Sequence, residues 1–186
     1  MKKFKEIESK MSSKQKIWIF FYNIILFLGL FLIIFEVLIY RKTIISIYIP
    51  ISIILIVGLL AFYFNKKNYN KIYPSANNFI SIIQNIMSWG FITSYLFLAI
   101  NYYLAEKTIT NYKLKIKGKS SMPGSKYHRE DREPLVKVDY FTFEKELVFN
   151  FEDTDKVNSA DSVEVSVRKG RLGFDILDSY DVINNK

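Results

Sequence analysis

Hydrophobic residues in the first hundred positions fall into three long runs, 17–40, 44–64 and 79–104, parted by short polar breaks. Each run reaches the roughly 20 residues that a helix rising about 1.5 Å per residue needs to cross about 30 Å of hydrocarbon. Glu36 is the only acid or base inside them. The runs therefore predict three membrane-spanning helices. Pro50, well inside the second run, predicts a kink. Arg41-Lys42-Thr43, the break before that run, predicts a tight hairpin between antiparallel helices.

From Thr108 the period changes from helix to strand. Tyr112, Leu114 and Ile116 alternate with Lys113, Lys115 and Lys117; Val136, Val138 and Tyr140 form a second set, and Leu147, Phe149 and Phe151 a third. Val163, Val165 and Val167 make a fourth, and Leu172, Phe174 and Ile176 a fifth across the turn Lys169-Gly170-Arg171. The polar stretches 118–133 and 152–161 read as loops. A change of phase at Tyr140-Phe141 reads as a bulge or the start of a turn. Five short strands, each with one apolar face, predict a small all-β domain, an antiparallel barrel or a sandwich. The chain is thus expected to comprise a basic segment 1–16, a three-helix transmembrane region 17–104 and a β-domain 105–186.

Charge separates the two halves. Of the net +8, all belongs to residues 1–104, while the β half carries 15 cations against 15 acids. Cations flanking apolar runs set orientation and touch lipid, and a neutral soluble half gives a phosphate backbone nothing to bind, so nucleic acid is excluded as a partner. Lys2, Lys3, Lys5, Lys10, Lys14 and Lys16 precede the first run, and Lys66, Lys67 and Lys71 follow the second, nine cations against the two of Arg41-Lys42. The positive-inside rule then puts the N-terminus in the cytoplasm and, after three spans, the β-domain outside it. Lys107, Lys113, Lys115, Lys117 and Lys119, just past the third run, pull the other way. The first run is longer than a signal-peptide core, so no cleavage is expected. Richness in Ile, Lys and Asn suits an AT-rich genome and hence a bacterial inner membrane.

Polar residues inside the runs can be ranked by depth, because the first and third helices run in the same direction. Asn23, Gln84 and Asn85 come out at one level, where amides favour helix-to-helix hydrogen bonds. Gly29, Gly58 and Gly90 allow close backbone approach. Glu36 lies near the outer end of its helix, close to Arg41-Lys42, so it is expected to reach water or pair locally, with a proton relay as the functional alternative.

Other chemistry is sparse. The chain has no cysteine, hence no disulfides and no thiolate-bound metal. His128, the only histidine, stands among charged residues and suggests no catalysis. Asp153, Asp155, Asn158 and Asp161 lack the glycine and terminal glutamate of a calcium loop. Asp175, Asp178 and Asp181 recur every third residue, but in a strand context that spacing carries no meaning. No nucleotide-binding or hydrolase motif is present. The expectation is a non-enzymatic membrane protein without cofactors, whose β-domain meets a protein partner as an accessory subunit or a toxin-immunity protein. The alternative is a transporter or channel formed by a homo-oligomer, with Glu36, Asn23, Gln84 and Asn85 lining the path.

Overall fold

The computed structural model describes residues 12–72, 77–124, 126, 129–141 and 143–183. Its elements are three long apolar helices followed by a five-stranded antiparallel sheet curled into a half-barrel. The helices are α1 (Ser13–Lys42), α2 (Tyr48–Ile72) and α3 (Asn78–Tyr103), each long and apolar enough to span a membrane. The strands are β1 (Ile109–Met122), β2 (Glu133–Tyr140), β3 (Phe143–Val148), β4 (Ser162–Lys169) and β5 (Asp175–Ile183). Two compact units result, one of Met1–Leu38 with Ile47–Ala99 and the other of Ile39–Ser46 with Ile100–Lys186.

Within the helical unit the outer surface is apolar, with residues such as Phe20, Phe27, Ile34, Leu55 and Phe64 exposed, as suits helices surrounded by lipid rather than water. The inward stripe of α1 is Tyr22, Ile25, Gly29 and Glu36, spaced by three, four and seven residues, the interval of one helix face. Glycines bring the backbones together. A Cβ on Gly58 of α2 would lie 2.6 Å from Ile86 Cα, and one on Gly90 of α3 would lie 2.6 Å from the Ile54 carbonyl oxygen. On α1, a Cβ on Gly29 would meet the carbonyl oxygens of Met87 and Ser88. All three approaches involve the stretch Ile86–Gly90, where α3 widens into a single π-helical segment. Pro50 produces no kink in α2. That helix starts at Tyr48, so Pro50 stands in its first turn, where the missing N–H would have had no partner anyway.

In the β unit the alternating residues meet as expected: Val136, Val138, Tyr140, Leu147, Phe149, Val163, Val165 and Val167 form the core, with Tyr112, Leu114 and Ile116 packed against it. Strand order is β3-β2-β1-β4-β5, every pair antiparallel. β1 joins both wings, its first half paired with β4 and its second half with β2, and a bulge separates Ile116 from Gly118. A second bulge lies opposite Ser166/Val167, which pair with Ser179 and Leu177 and leave Asp178 as the extra residue.

Several boundaries differ from the pattern-based expectation. β1 continues through Met122, so residues 118–122 are strand rather than loop. The third strand is Phe143–Val148, and Phe151 lies exposed in a 3-10 turn. The expected loop 152–161 holds a short helix, α4 (Thr154–Ser159), because Val157 is an apolar plug for the core and needs a turn to deliver it. β5 begins only at Asp175, with Leu172 exposed in the turn. The phase change after Tyr140 is the β2–β3 turn: Tyr140 pairs with Phe143, and Phe141 takes φ 53°, the only non-glycine residue with positive φ among the described residues.

α1 and α2 run antiparallel as expected, with Tyr22 near the start of one against Tyr69 near the end of the other, but the turn between them is not at 41–43. α1 runs through Lys42, and residues 43–46 lie outside any helix and belong to the β unit. Thr43 makes an antiparallel bridge with Ile176 on β5, the Ile44 N–H donates to the Asp175 carbonyl at 2.8 Å, and the Ile44 side chain joins the core. From the opposite edge, Lys145 on β3 donates to the carbonyls of Arg41 (3.0 Å) and Thr43 (3.4 Å). The connection between the first two helices thus fills part of the gap between the two edge strands, which would otherwise present unpaired backbone. Tyr180 narrows the gap further, its hydroxyl donating to the Val148 carbonyl at 2.6 Å and its ring standing edge-on to Phe149.

Lys145 faces inward because it lies directly opposite Val138, and paired residues share a face. Burial, reinforced by Arg41, lowers its pKa from the ordinary 10.5. Between that lowered value and 10.5 the unfolded chain binds more protons than the folded one, so this residue makes stability rise with pH. Burial also raises Tyr140 and Tyr180 above the ordinary 10.0, a contribution present below pH 10 and lost above it. Thermal unfolding of the β unit is therefore expected to shift upward as pH approaches 10 and downward beyond it. Lys145→Met should abolish the rise and leave the fall; a rise that persists would mean Lys145 is not its source.

Candidate functional site

Glu36 is where the helical unit concentrates unusual chemistry. Its side chain is 4 % exposed, on the same helix face as Gly29 and Tyr22, and its Oε1 accepts a hydrogen bond of 2.5 Å from the Ser94 hydroxyl of α3. Its Oε2 is buried without a hydrogen-bond partner among the described residues, as is the indole N–H of Trp89. Depth suggested that Glu36 reaches water or meets Arg41-Lys42; helical phase instead turns it into the bundle. An acid in this setting has one oxygen committed and one open to a proton, a water or another polar group.

Along α3 a polar seam is buried: Ser81, Asn85, Ser88 and Ser94. Ser94 reaches Glu36 of α1 and Ser81 also meets the Tyr69 hydroxyl of α2, while Asn85 and Ser88 answer to their own helix. Asn85 donates to the Ser81 carbonyl at 2.7 Å, and Ser88 to the Gln84 carbonyl at 2.6 Å. Small polar side chains bonding back one turn leave space for a neighbouring helix. The helix-to-helix amide contact that does form is from the Tyr69 hydroxyl of α2 to the Gln84 side chain, and Tyr69 in turn stacks edge-on with Tyr22 of α1.

Asn23 is not part of this network. One position past the inward Tyr22, it is turned about 100° away and lies exposed on the outer surface of α1. Glu36, Gln84 and Asn85 therefore share the interior while Asn23 does not. Lys2, Lys3, Lys5, Lys10 and His128 lie outside the described residues; Lys14, Lys16, Lys66 and Lys67 are exposed. Lys71 falls in the last turn of α2.

The three aspartates of the 175–181 series are matched with cations. Asp175 meets Lys169 at 3.1 Å, Asp178 meets Arg168 at 2.9 Å and Asp181 meets Lys156 at 2.7 Å, the last pairing holding the Asp181 carboxyl below its usual range. Among the described residues, no group of three or more acids and histidines is placed to hold a metal ion.

Sequence reasoning missed Asn101, which is fully buried in the last turn of α3 and belongs to the β unit. Its Nδ2 donates to the Phe174 carbonyl, its Oδ1 accepts from the Leu172 N–H, both at 3.0 Å, and its own carbonyl accepts from the Arg171 N–H at 3.2 Å. One residue thus clamps the whole β4–β5 turn. No periodic signal marks it, since an amide at the end of an apolar run reads as a boundary. No family model matches the chain, and no match was found among curated proteins or solved structures.

Proposed function

We propose that this is a small integral membrane protein that crosses a bacterial inner membrane three times and displays its half-barrel outside the cytoplasm to a protein partner. The observation that carries this reading is how the helices end. The first and third connections, Thr43–Ile44 after α1 and Asn101 at the end of α3, are built into the half-barrel by backbone and side-chain hydrogen bonds. A three-span topology requires these two helix ends to lie on one side of the bilayer, and a single domain holding both is consistent with it.

A domain fixed at that end leaves its other end for display. Met122, Glu133, Val148 and Ser162 mark that end in the strand registers, and the exposed Phe151 and α4 lie beside it. The charge count of nine cations on the inner breaks against two on the first outer one supports an external domain. Fusing alkaline phosphatase, active only after export, and separately a cytoplasm-dependent fluorescent protein to Lys186 tests this. Active phosphatase and a dark fluorophore are expected. The reverse pattern would overturn the sidedness, and a monodisperse, partnerless monomer after mild extraction under several conditions would overturn the display role.

A further inference from the structure

We propose that the end of the half-barrel holding the helix termini is a membrane-docking surface, in which Phe141 and Leu172 enter the headgroup boundary of an acidic bilayer while neighbouring cations engage lipid phosphates. The inference rests on the spanning reading above and adds a second mode of membrane contact to it.

The strand registers bring the relevant segments to one end. Ile109 pairs with Arg168, Lys169 with Asp175, and Thr43 with Ile176, while the Tyr140 hydroxyl reaches the Asp175 carboxylate at 2.9 Å. The start of β1, the β2–β3 turn, the β4–β5 turn and the last turns of α1 and α3 therefore share a rim. Exposed apolar side chains collect there: Phe141 at 74 %, Leu172 at 41 %, and Ile109, Tyr103 and Leu104. Water is a poor solvent for such a cluster, and an apolar rim continuous with two apolar helices suits a bilayer surface.

Phe141 is held out rather than left loose. It occupies the left-handed region at φ 53°, uncommon for an aromatic residue, and the rings of Tyr112 and Tyr140 brace it edge-on at 5.6 and 4.9 Å. An observed backbone outlier at an exposed aromatic points to a use for that exposure. Phe and Leu side chains are among those that interfacial segments bury at the headgroup–acyl boundary.

Charge selects the lipid. Arg41, Lys42, Lys107 and Arg171 are exposed on this rim beside the carboxylate of Glu106, whereas Lys169 pairs with Asp175 at 3.1 Å, and the acids next to the β2–β3 turn, Asp139 and Glu144, are matched by Lys117 and Lys137. Juxtamembrane cations of this kind are drawn to acidic headgroups. Two lysines further along β1 are engaged within the domain instead: Lys117 pairs with Asp139 at 2.9 Å, and Lys119 donates to the Asn158 carbonyl.

Because the chain has no cysteine, single cysteines can carry nitroxide labels without background. The full-length protein is reconstituted into vesicles containing phosphatidylglycerol, labelled separately at Phe141→Cys, Leu172→Cys, Phe151→Cys and Leu59→Cys. Collision rates with oxygen and with a water-soluble nickel chelate then report depth. Labels at 141 and 172 should favour oxygen several-fold more than the label at 151, with 59, midway along α2, deepest of all. Replacing phosphatidylglycerol by phosphatidylcholine should move 141 and 172 toward 151. Labels at 141 and 172 that match 151 while 59 stays deep would overturn the docking surface alone. A shallow label at 59 would overturn the spanning reading and the docking surface with it. Depth unaffected by lipid charge would remove the cations from the proposal and overturn its choice of an acidic bilayer.

Discussion

Alanine at Asn101 is expected to lower the stability of the β unit by about 1–3 kcal/mol, because it deletes two hydrogen bonds made by a fully buried amide, each worth about 1 kcal/mol. The bonds lost are from the Leu172 N–H and to the Phe174 carbonyl, in a turn that otherwise folds back on itself through the Gly170 N–H, which also donates to Phe174, and the Gly173 N–H. A domain of this size has only about 5–15 kcal/mol in reserve. Asp at this position refines the test. It keeps an acceptor for Leu172 but sets a carboxylate against the Phe174 carbonyl, so it should be no better than alanine despite its near-identical shape. Gly170→Ala attacks the same contact from the other side, since its Cβ would collide with the Phe174 carbonyl and with both terminal atoms of the Asn101 amide. Amide exchange across β4 and β5 of the full chain measures all three. If exchange at Val163 and Val165 is unaltered by N101A, the turn is held by its own backbone and Asn101 is incidental.

The second large effect is expected in the helical unit. Gly58→Leu or Gly90→Leu should break the α2–α3 contact, at a cost of at least the roughly 1–3 kcal/mol of overpacking. At each site the atoms in the way are backbone, Ile86 Cα for one and the Ile54 carbonyl for the other, so rotation of a side chain cannot relieve the clash. The two glycines are reciprocal: 54 and 58 on α2, 86 and 90 on α3, each pair one turn apart. Either substitution should therefore be as harmful as both together, a non-additivity expected of neighbours that share one contact. Thermal aggregation in detergent would report it, and losses that simply add would separate the two contacts.

Much of the fold is legible in the alternation alone. Three apolar runs became three long apolar helices, and the period-two sets became core-facing strand residues, because burial of one face is what both periods encode. What the pattern hid depends on contacts between distant segments. Asn23 and Glu36 were placed by depth, but facing is set by phase: the series Tyr22, Ile25, Gly29, Glu36 carries the acid inward and leaves Asn23 outside. Lys145 shares its phase with Leu147 and Phe149, a sign of inward orientation available in the sequence yet outweighed by its charge. Asn101 and the linking residues 43–46 had no local sign at all, since an amide at a helix end and a Thr-Ile-Ile run acquire their roles only from β5 and its turn.

That dependence on β5 has a consequence in time. During synthesis the first two helices and the link between them are complete long before Ile176 leaves the ribosome, so Thr43 must wait for its partner through nearly the whole of translation. Until then Ile44 lacks the apolar core in which it ends up, and the inward Lys145 has no complete half-barrel to face. A chain stopped anywhere before β5 would lose more than a terminal strand. It would leave an unsatisfied linking segment between its first two helices, at the opposite end of the sequence from the lesion, where a quality-control protease could recognise it.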